Sequence, residues 1–243
     1  MMGYYGKNYY FDNIGKMTNK GVELSAVWND LRANWGYSIN GSVSFNRNKI
    51  DYMAEVAPAY SYNAQTGRPY GTLIGLVADG FYDVDDFNAD GSLKADLPQP
   101  MFGAVQPGDI KYRDLDRSGF VDQNDVTKVG KSPYPEWTYS LGAAFNYRGF
   151  DFSFLLQGIA GASFNLLDNA VQTRAFVDNG NVYPIARGAW AYYPEQGIDT
   201  RATATYPRLT TQSNENNYQL SSFWVKSRNF MRCLLYTSPS PRD

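Results

Sequence analysis

The sequence predicts an all-β protein whose strands form an antiparallel segment of a transmembrane β-barrel with long loops at one rim. Three observations carry this reading. Residues 35–45 alternate Trp35, Tyr37, Ile39, Gly41, Val43 and Phe45 with Gly36, Ser38, Asn40, Ser42 and Ser44, a run about twice the usual strand of about 5–6 residues. Aromatics make up 16% of the 243 residues and hydrophobic side chains 43%, yet mean hydropathy is -0.47, as expected for strands apolar on one face only. Short and very long connections alternate along the chain, the pattern of barrels with tight turns at one rim and long loops at the other.

In chain order, residues 1–20 are rich in Gly, Asn and Tyr and read as a loop. A first strand is expected over 21–30, where Val22, Leu24, Ala26 and Trp28 alternate with Glu23, Ser25, Val27 and Asn29, imperfect at Val27. After a turn at 31–33, the second strand covers 34–46. At about 3.3 Å per residue, 35–45 spans roughly 33 Å, and a tilt near 40° projects it to about 25 Å, the height of a barrel's apolar band. A long loop, 47–136, leads to a hairpin of strands at 137–147 and 150–157 around Arg148-Gly149. A second long loop, 158–221, includes a stretch at 164–177 that reads as a short helix, and a fifth strand is expected over 223–231.

The aromatics fall near the strand ends: Trp35 and Tyr37 against Phe45, and Trp137 and Tyr139 against Phe145 and Tyr147. In a barrel these would be interfacial girdles. In a soluble β-sandwich the same rings would line the core, and the length of the strands and their Asn/Ser/Gly-rich second face favour the barrel. Exposed Tyr and Trp in the loops could stack on sugar rings, or could pack each loop onto itself.

Other classes are excluded or unsupported. No run approaches the roughly 18 apolar residues of a transmembrane helix. A net charge of -2 with scattered cations argues against nucleic acid as a partner. The absence of His removes Ser-His-Asp and Cys-His systems and His-ligated metals. The single Cys233 permits no internal disulfide. Asp83, Asp85 and Asp86 read as a solvated loop, and Gly158-Ile-Ala-Gly161 lacks the Lys-Ser/Thr of a phosphate loop, so no enzyme and no catalytic residue is expected. The start, Met1-Met2-Gly-Tyr-Tyr-Gly-Lys, has neither the charged nor the apolar region of a signal peptide. The expectation is therefore a cytosolic protein or an internal piece of a longer one.

One segment has the spacing of a calcium loop. In Asp114-Leu-Asp116-Arg-Ser118-Gly119-Phe120-Val121-Asp122-Gln-Asn124-Asp125, oxygen-bearing side chains stand at positions one, three, five, nine and twelve and a glycine at six. The expected ligands are Asp114, Asp116, Ser118, the carbonyl of Phe120, Asp122 and Asp125, with Val121 as an inward apolar anchor. Position twelve is Asp rather than a bidentate Glu, and the flanks read as extended. A weak structural Ca2+ site of the 10⁻⁴ to 10⁻³ M class and a metal-free Asx-rich turn both remain open. No cofactor is required.

Several motifs recur in the order of one family. Gly67-Arg-Pro-Tyr-Gly71, Val77-Ala-Asp-Gly-Phe81, Pro107-Gly-Asp-Ile-Lys-Tyr112, the acidic turn, Val129-Gly-Lys-Ser-Pro-Tyr-Pro135, Tyr147-Arg-Gly-Phe-Asp151, Leu156-Gln-Gly158 and Tyr206-Pro-Arg-Leu-Thr210 resemble successive motifs of the SusC/RagA-type TonB-linked outer-membrane transporters. Asn13-Ile-Gly-Lys-Met17 and Asn19-Lys-Gly-Val-Glu-Leu24 are similar to it too. The match covers residues 12–232 and corresponds to part of the C-terminal half of a barrel of about 22 strands that surrounds an N-terminal plug. Residues 233–243 depart from the pattern and resemble translated sequencing-adapter read-through, so Cys233 is assigned no role.

The resemblance implies import of oligosaccharides or peptides across the outer membrane of a Gram-negative bacterium. TonB would drive it through the plug, and a SusD-like surface lipoprotein would form the lid. Outer-membrane lipid would cover the apolar face. Asn34, Ser38, Asn40, Ser42, Ser140, Asn146, Asp151 and Gln157 would face the lumen, in contact with plug, water or a glycan or peptide substrate. A different class also fits the residues: a secreted or surface β-rich module that binds glycans with calcium.

Overall fold

The computed structural model describes residues 14–177 and 180–239, with the backbone alone at 236–239. Five long strands form one antiparallel sheet: β1 (Gly15–Leu31), β2 (Trp35–Met53), β3 (Trp137–Tyr147), β4 (Phe150–Ala160) and β5 (Phe230–Pro239). They pair in sequence order, β1-β2-β3-β4-β5. Among the described residues the α-helical content is the single turn Ala170–Thr173, and no helix is long and apolar enough to cross a membrane.

The register explains the alternation. Val22, Phe45 and Trp137 are cross-strand partners, as are Leu24, Val43 and Tyr139, and Trp28, Ile39 and Ala143. The rows continue through Leu141 to Leu156 and Cys233, and through Ala143 to Phe154 and Leu235. Partners share a face, so the apolar sets of five strands merge into one surface. The second face carries Glu23, Ser25, Asn29, Ser38, Asn40, Ser42, Ser140, Asn146, Asp151 and Gln157, interrupted by apolar residues that include Val27, Leu31, Ile50, Leu155, Ile159, Phe230 and Leu234.

β1 and β2 overrun the expected 21–30 and 34–46 at the long-loop end. The segment 15–20, read as loop, is strand, because residues 46–53 keep a β-compatible backbone for it to pair with after the apolar alternation has ended. Beyond Trp137, where β3 is no longer alongside, the exposed edge of β2 is taken up by a loop. Ile50 N–H donates to the Arg68 carbonyl at 2.9 Å, and Gly67 N–H to the Ile50 carbonyl at 2.7 Å.

The fifth strand differs from expectation. Residues 223–231 contain a separate short strand, Val225–Ser227, paired with Ser163–Asn165. Two residues later the chain enters the sheet as β5, which includes Cys233 opposite Leu156. Alternation at Phe223, Val225 and Ser227 reports a two-stranded pairing in the loop rather than the sheet. Residues 240–243 lie outside the described residues, as does most of the loop expected at the N-terminus.

Between the strands, residues 54–136 and 161–229 do not remain separate loops. Leu76, Ile110, Tyr112 and Val121 from the first pack with Ala175, Ala186, Tyr206 and Trp224 from the second in one buried cluster. Gly75 sits so close to the Leu220 carbonyl that a Cβ there would overlap it. On the next residue, Leu76 N–H donates to that carbonyl at 2.9 Å. The expected short helix is reduced to a strand, a 3₁₀ turn at Leu166–Asp168 and the one α-turn.

Candidate functional site

The loop module is tied together by Asp109, which is fully buried. Its Oδ1 accepts from Arg208 Nε at 2.7 Å, Asn217 Nδ2 at 2.8 Å and Asn214 Nδ2 at 2.9 Å, and its Oδ2 from Gln106 N–H at 2.8 Å. The same two loops are joined by Ile110 N–H to Asn217 Oδ1 at 2.7 Å, Asn216 Nδ2 to the Ile110 carbonyl at 2.9 Å, and the Tyr112 hydroxyl to the Asn216 carbonyl at 2.7 Å. Trp224 Nε1 donates to the Asn217 carbonyl at 2.7 Å. Gly108, at φ +89°, brings the backbone against the Trp190 ring, where a Cβ would come within 2.5 Å. Burial, with Asp86 and Asp109 nearby, pushes the Tyr82 phenol up to about 12.

Pro107-Gly-Asp-Ile-Lys-Tyr112 and Tyr206-Pro-Arg-Leu-Thr210 stand apart in the sequence, with no local pattern that links them. The available signal was an Asp and an Arg, each flanked by apolar residues and Pro, in two loops that each also hold Gly or aromatic packing residues. Their pairing across 99 positions is a long-range fact that periodicity does not carry.

The acidic turn gathers Asp114, Asp116 and Asp125, whose carboxylate oxygens lie within 4.8 Å of one another. Asp125 is buried; its Oδ1 accepts from Leu115 N–H at 2.7 Å, and its Oδ2 from Asp122 N–H at 2.8 Å. Asp114 accepts from Gly119 N–H at 2.8 Å and Asp116 from Ser118 N–H at 2.9 Å. Gly119, at φ +85°, makes the bend. Hydrogen bonding from Ser118, and further from Tyr60, holds the Asp116 carboxyl below the usual carboxylate range. The Tyr60 hydroxyl is pushed up, first by its hydrogen bond to Asp116.

The other expected ligands are placed differently. Asp122 stands outside the cluster and caps the 3₁₀ turn Gln123–Asp125, accepting from Asn124 N–H at 2.6 Å. The Ser118 hydroxyl donates to the Phe120 carbonyl at 3.1 Å, so these two satisfy each other. Val121 is buried, as an anchor should be. The three converging carboxylates are hard oxygen donors with lone pairs left over after their N–H bonds, a donor set that fits Ca2+.

On the polar face of the sheet, the Ser42 and Ser140 hydroxyls meet at 2.8 Å, and Gln157 and Asp151 stand opposite Ser140 and Asn146. Asn40 lies over Gly142, where a Cβ would come within 2.6 Å of its side chain. Ser38 bonds Asn29 on β1. Seven of the eight residues expected to face the lumen therefore share one face of the sheet. Asn34 is in the turn before β2, where its carbonyl accepts from Arg148 N–H at 3.3 Å.

On the apolar face, Trp28 is 66% exposed, Val22 71% and Phe150 71%, and exposed apolar side chains gathered on one face mark contact with a partner or a membrane. The rings cluster in two rows. Phe45 and Trp137 lie at 4.6 Å at the long-loop end, and Trp35 and Tyr37 stack at 5.9 Å at the other.

Comparison with known proteins agrees with this architecture. No family model matches the chain. It is 26% identical over 172 residues to the TonB-dependent receptor P3 of Formosa agariphila, covering 65% of this chain and 16% of that protein. It is 26% identical over 201 residues to the TonB-dependent receptor P26 of the same organism, covering 78% of this chain and 19% of that protein. The chain thus spans less than a fifth of the length of these relatives. Among solved structures, the RagAB peptide transporter superposes over 90% of this chain and 22% of its own, with a TM-score of 0.57 at 15% identity. The RagAB peptide importer in its closed-closed state gives 0.54 at 18% identity, over 93% of this chain and 23% of that one. In sequence and in fold, the chain is similar to a section of the barrel of SusC/RagA-type TonB-dependent transporters, the family its motifs resemble.

Proposed function

We propose that this chain is a section of an outer-membrane active importer of a Gram-negative bacterium, taking up oligosaccharides or peptides with TonB coupling under a SusD-like lipoprotein lid. The observation that carries the reading is the register. It merges the apolar residues of five strands into one surface bounded by two aromatic rows, with the joined loops at one rim. A surface of that kind needs lipid as its neighbour. In this reading Ser42, Ser140, Asn40, Asn146, Asp151 and Gln157 line the lumen, and the loop module faces outward, where a lid and substrate would meet it. The acidic turn would hold Ca2+ through Asp114, Asp116 and Asp125 and so clamp the module.

Single cysteines in the full-length protein, with Cys233→Ser as background, test the reading in isolated outer membranes. Ser140→Cys is expected to react with a water-soluble maleimide and Leu141→Cys only with a lipid-partitioning one. Equal aqueous reactivity at both positions would refute membrane insertion and favour a soluble calcium-dependent glycan-binding module. Growth of a deletion strain on oligosaccharides or on peptides as sole carbon source then separates the two substrate classes.

A further inference from the structure

We infer that the long-loop end of β1 and β2 carries a binding site for the phosphorylated headgroup of an outer-leaflet glycolipid, an inference that rests on the barrel orientation proposed above. The apolar face bears Asp30 near the short turn, ion-paired with Arg32, and within the described strands no other charge until it passes the Val22–Phe45 row. Two residues further along, Lys20 stands directly opposite Arg47, and Thr18 opposite Lys49. Like charges on directly opposed positions destabilise a sheet. Here they border an open cleft of about 730 Å3 lined also by Arg68, Lys128 and Asp51, with Phe45 at its edge.

The partners available within the protein do not neutralise this cluster. Asp51 accepts from the Thr18 hydroxyl, and Arg47 is paired with Glu136 at 2.8 Å, which Lys131 shares at 3.3 Å. Among the described residues Lys20, Lys49 and Lys128 form no ion pair. Arg68 donates through Nη2 to the Tyr62 carbonyl at 2.6 Å, while its buried Nη1 has no partner. Of the five lining cations Arg47 alone has an ion pair among the described residues, and the other four beside one lining carboxylate, one residue pair above an aromatic row, match a phosphate held at headgroup depth with its acyl chains against the apolar face below. The phosphate oxygens would accept from the lysines and would relieve the Lys20–Arg47 repulsion.

The test uses the full-length protein extracted from outer membranes in mild detergent, with bound lipid A counted by native mass spectrometry. The comparison is with Lys20→Gln/Lys49→Gln/Lys128→Gln and with a charge-matched control, Arg117→Gln/Arg187→Gln/Lys226→Gln, which leaves the cleft intact. Each cation near such a surface is worth about fivefold, so the cleft triple is expected to lower lipid A affinity on the order of a hundredfold while the control retains it. Heat-modifiable gel migration reports barrel folding in every variant.

A folded barrel with equal lipid A retention in the cleft triple and the wild type would overturn the site and leave the importer reading standing. Displacement of lipid A by millimolar inorganic phosphate as effectively as by added lipid A would overturn the lipid assignment in favour of a free-anion site. Failure of the full-length protein to insert would overturn both readings.

Discussion

Replacing Asp109 by Ala should loosen the whole outer module while leaving the sheet in place. The carboxylate is fully buried and serves five donors: Arg208 Nε and Nη2, two side-chain amides and one backbone N–H. Removing one partner of a buried pair costs about 3–5 kcal/mol because the remaining charge is uncompensated. Arg208 retains 22% side-chain exposure, so partial hydration pulls its share toward the low end. The stranded amides of Asn214 and Asn217 add back some of the difference, each hydrogen bond to a charged group being worth about 1.5–3 kcal/mol. The donors share one acceptor and the losses are not additive. The whole is about 4 kcal/mol, a factor of roughly a thousand in the opening equilibrium of the module. Asp109→Asn keeps the shape and one carbonyl oxygen but turns an N–H₂ toward Gln106 N–H or toward the arginine, and should cost about half as much. Hydrogen exchange on the full-length protein in detergent reads this directly. Amides at 106, 108–112 and 214–218 are expected to lose protection in the order wild type, Asn, Ala, while those of β2 and β3 stay unchanged. Unchanged exchange at Ile110 and Asn217 in Asp109→Ala would refute the claim that one buried carboxylate joins the two loops.

Three further outcomes follow from the same geometry. Ca2+ at millimolar concentration should slow proteolysis of residues 114–125 in the wild type but not in Asp116→Asn, whereas Asp125→Ala should be cleaved readily with or without the ion, since its carboxylate also holds Leu115 and Asp122 N–H; equal Ca2+ protection in Asp116→Asn would remove Asp116 from the ligand set. The Asp116 carboxyl is depressed by Ser118 and Tyr60, so the stability it lends is complete above the unfolded value near 4 and is lost as pH falls through the lower folded value; the turn should therefore open below about pH 4, and a transition at higher pH in a Tyr60→Phe variant is the expected signature of the lost Tyr60 hydrogen bond. Gly75→Ala should force Leu220 away and destabilise the module by roughly 1–3 kcal/mol, visible as increased exchange at Leu76; a neutral substitution would mean that the contact with the Leu220 carbonyl is not maintained.

How far the sequence reached depended on the range of the interaction. β3 and the start of β4 follow from alternation around Arg148-Gly149, because period and turn chemistry are local, and they set which residues share a face. The ends of β1 and β2 did not follow, since Arg47, Lys49 and Asp51 replace the apolar series that ends at Phe45, and a strand there is held by its neighbour β1 and by the edge contact with Arg68. Val225–Ser227 lies in the span that alternation assigns to the fifth strand, because a two-stranded pairing in the loop alternates as well as a strand of the sheet does. In the acidic turn, spacing identified the bend and three converging carboxylates, but Asp122 was taken by a capping interaction that competes locally for the same side chain. The Asp109 network was out of reach because its members are about a hundred residues apart, and no periodic signal links them.

The shared core of the two long loops bears on how such a barrel could be re-engineered or diversified. Transplanting residues 54–136 alone into another scaffold would bring Asp109 without Arg208 and Tyr112 without the Asn216 carbonyl it bonds. Transplanting 161–229 alone would leave Arg208 without its counter-ion and Trp224 without its packing partners Leu76, Ile110 and Val121. The smallest exchangeable cassette is therefore both loops with the β3–β4 hairpin between them, moved as one continuous piece from the end of β2 to the start of β5.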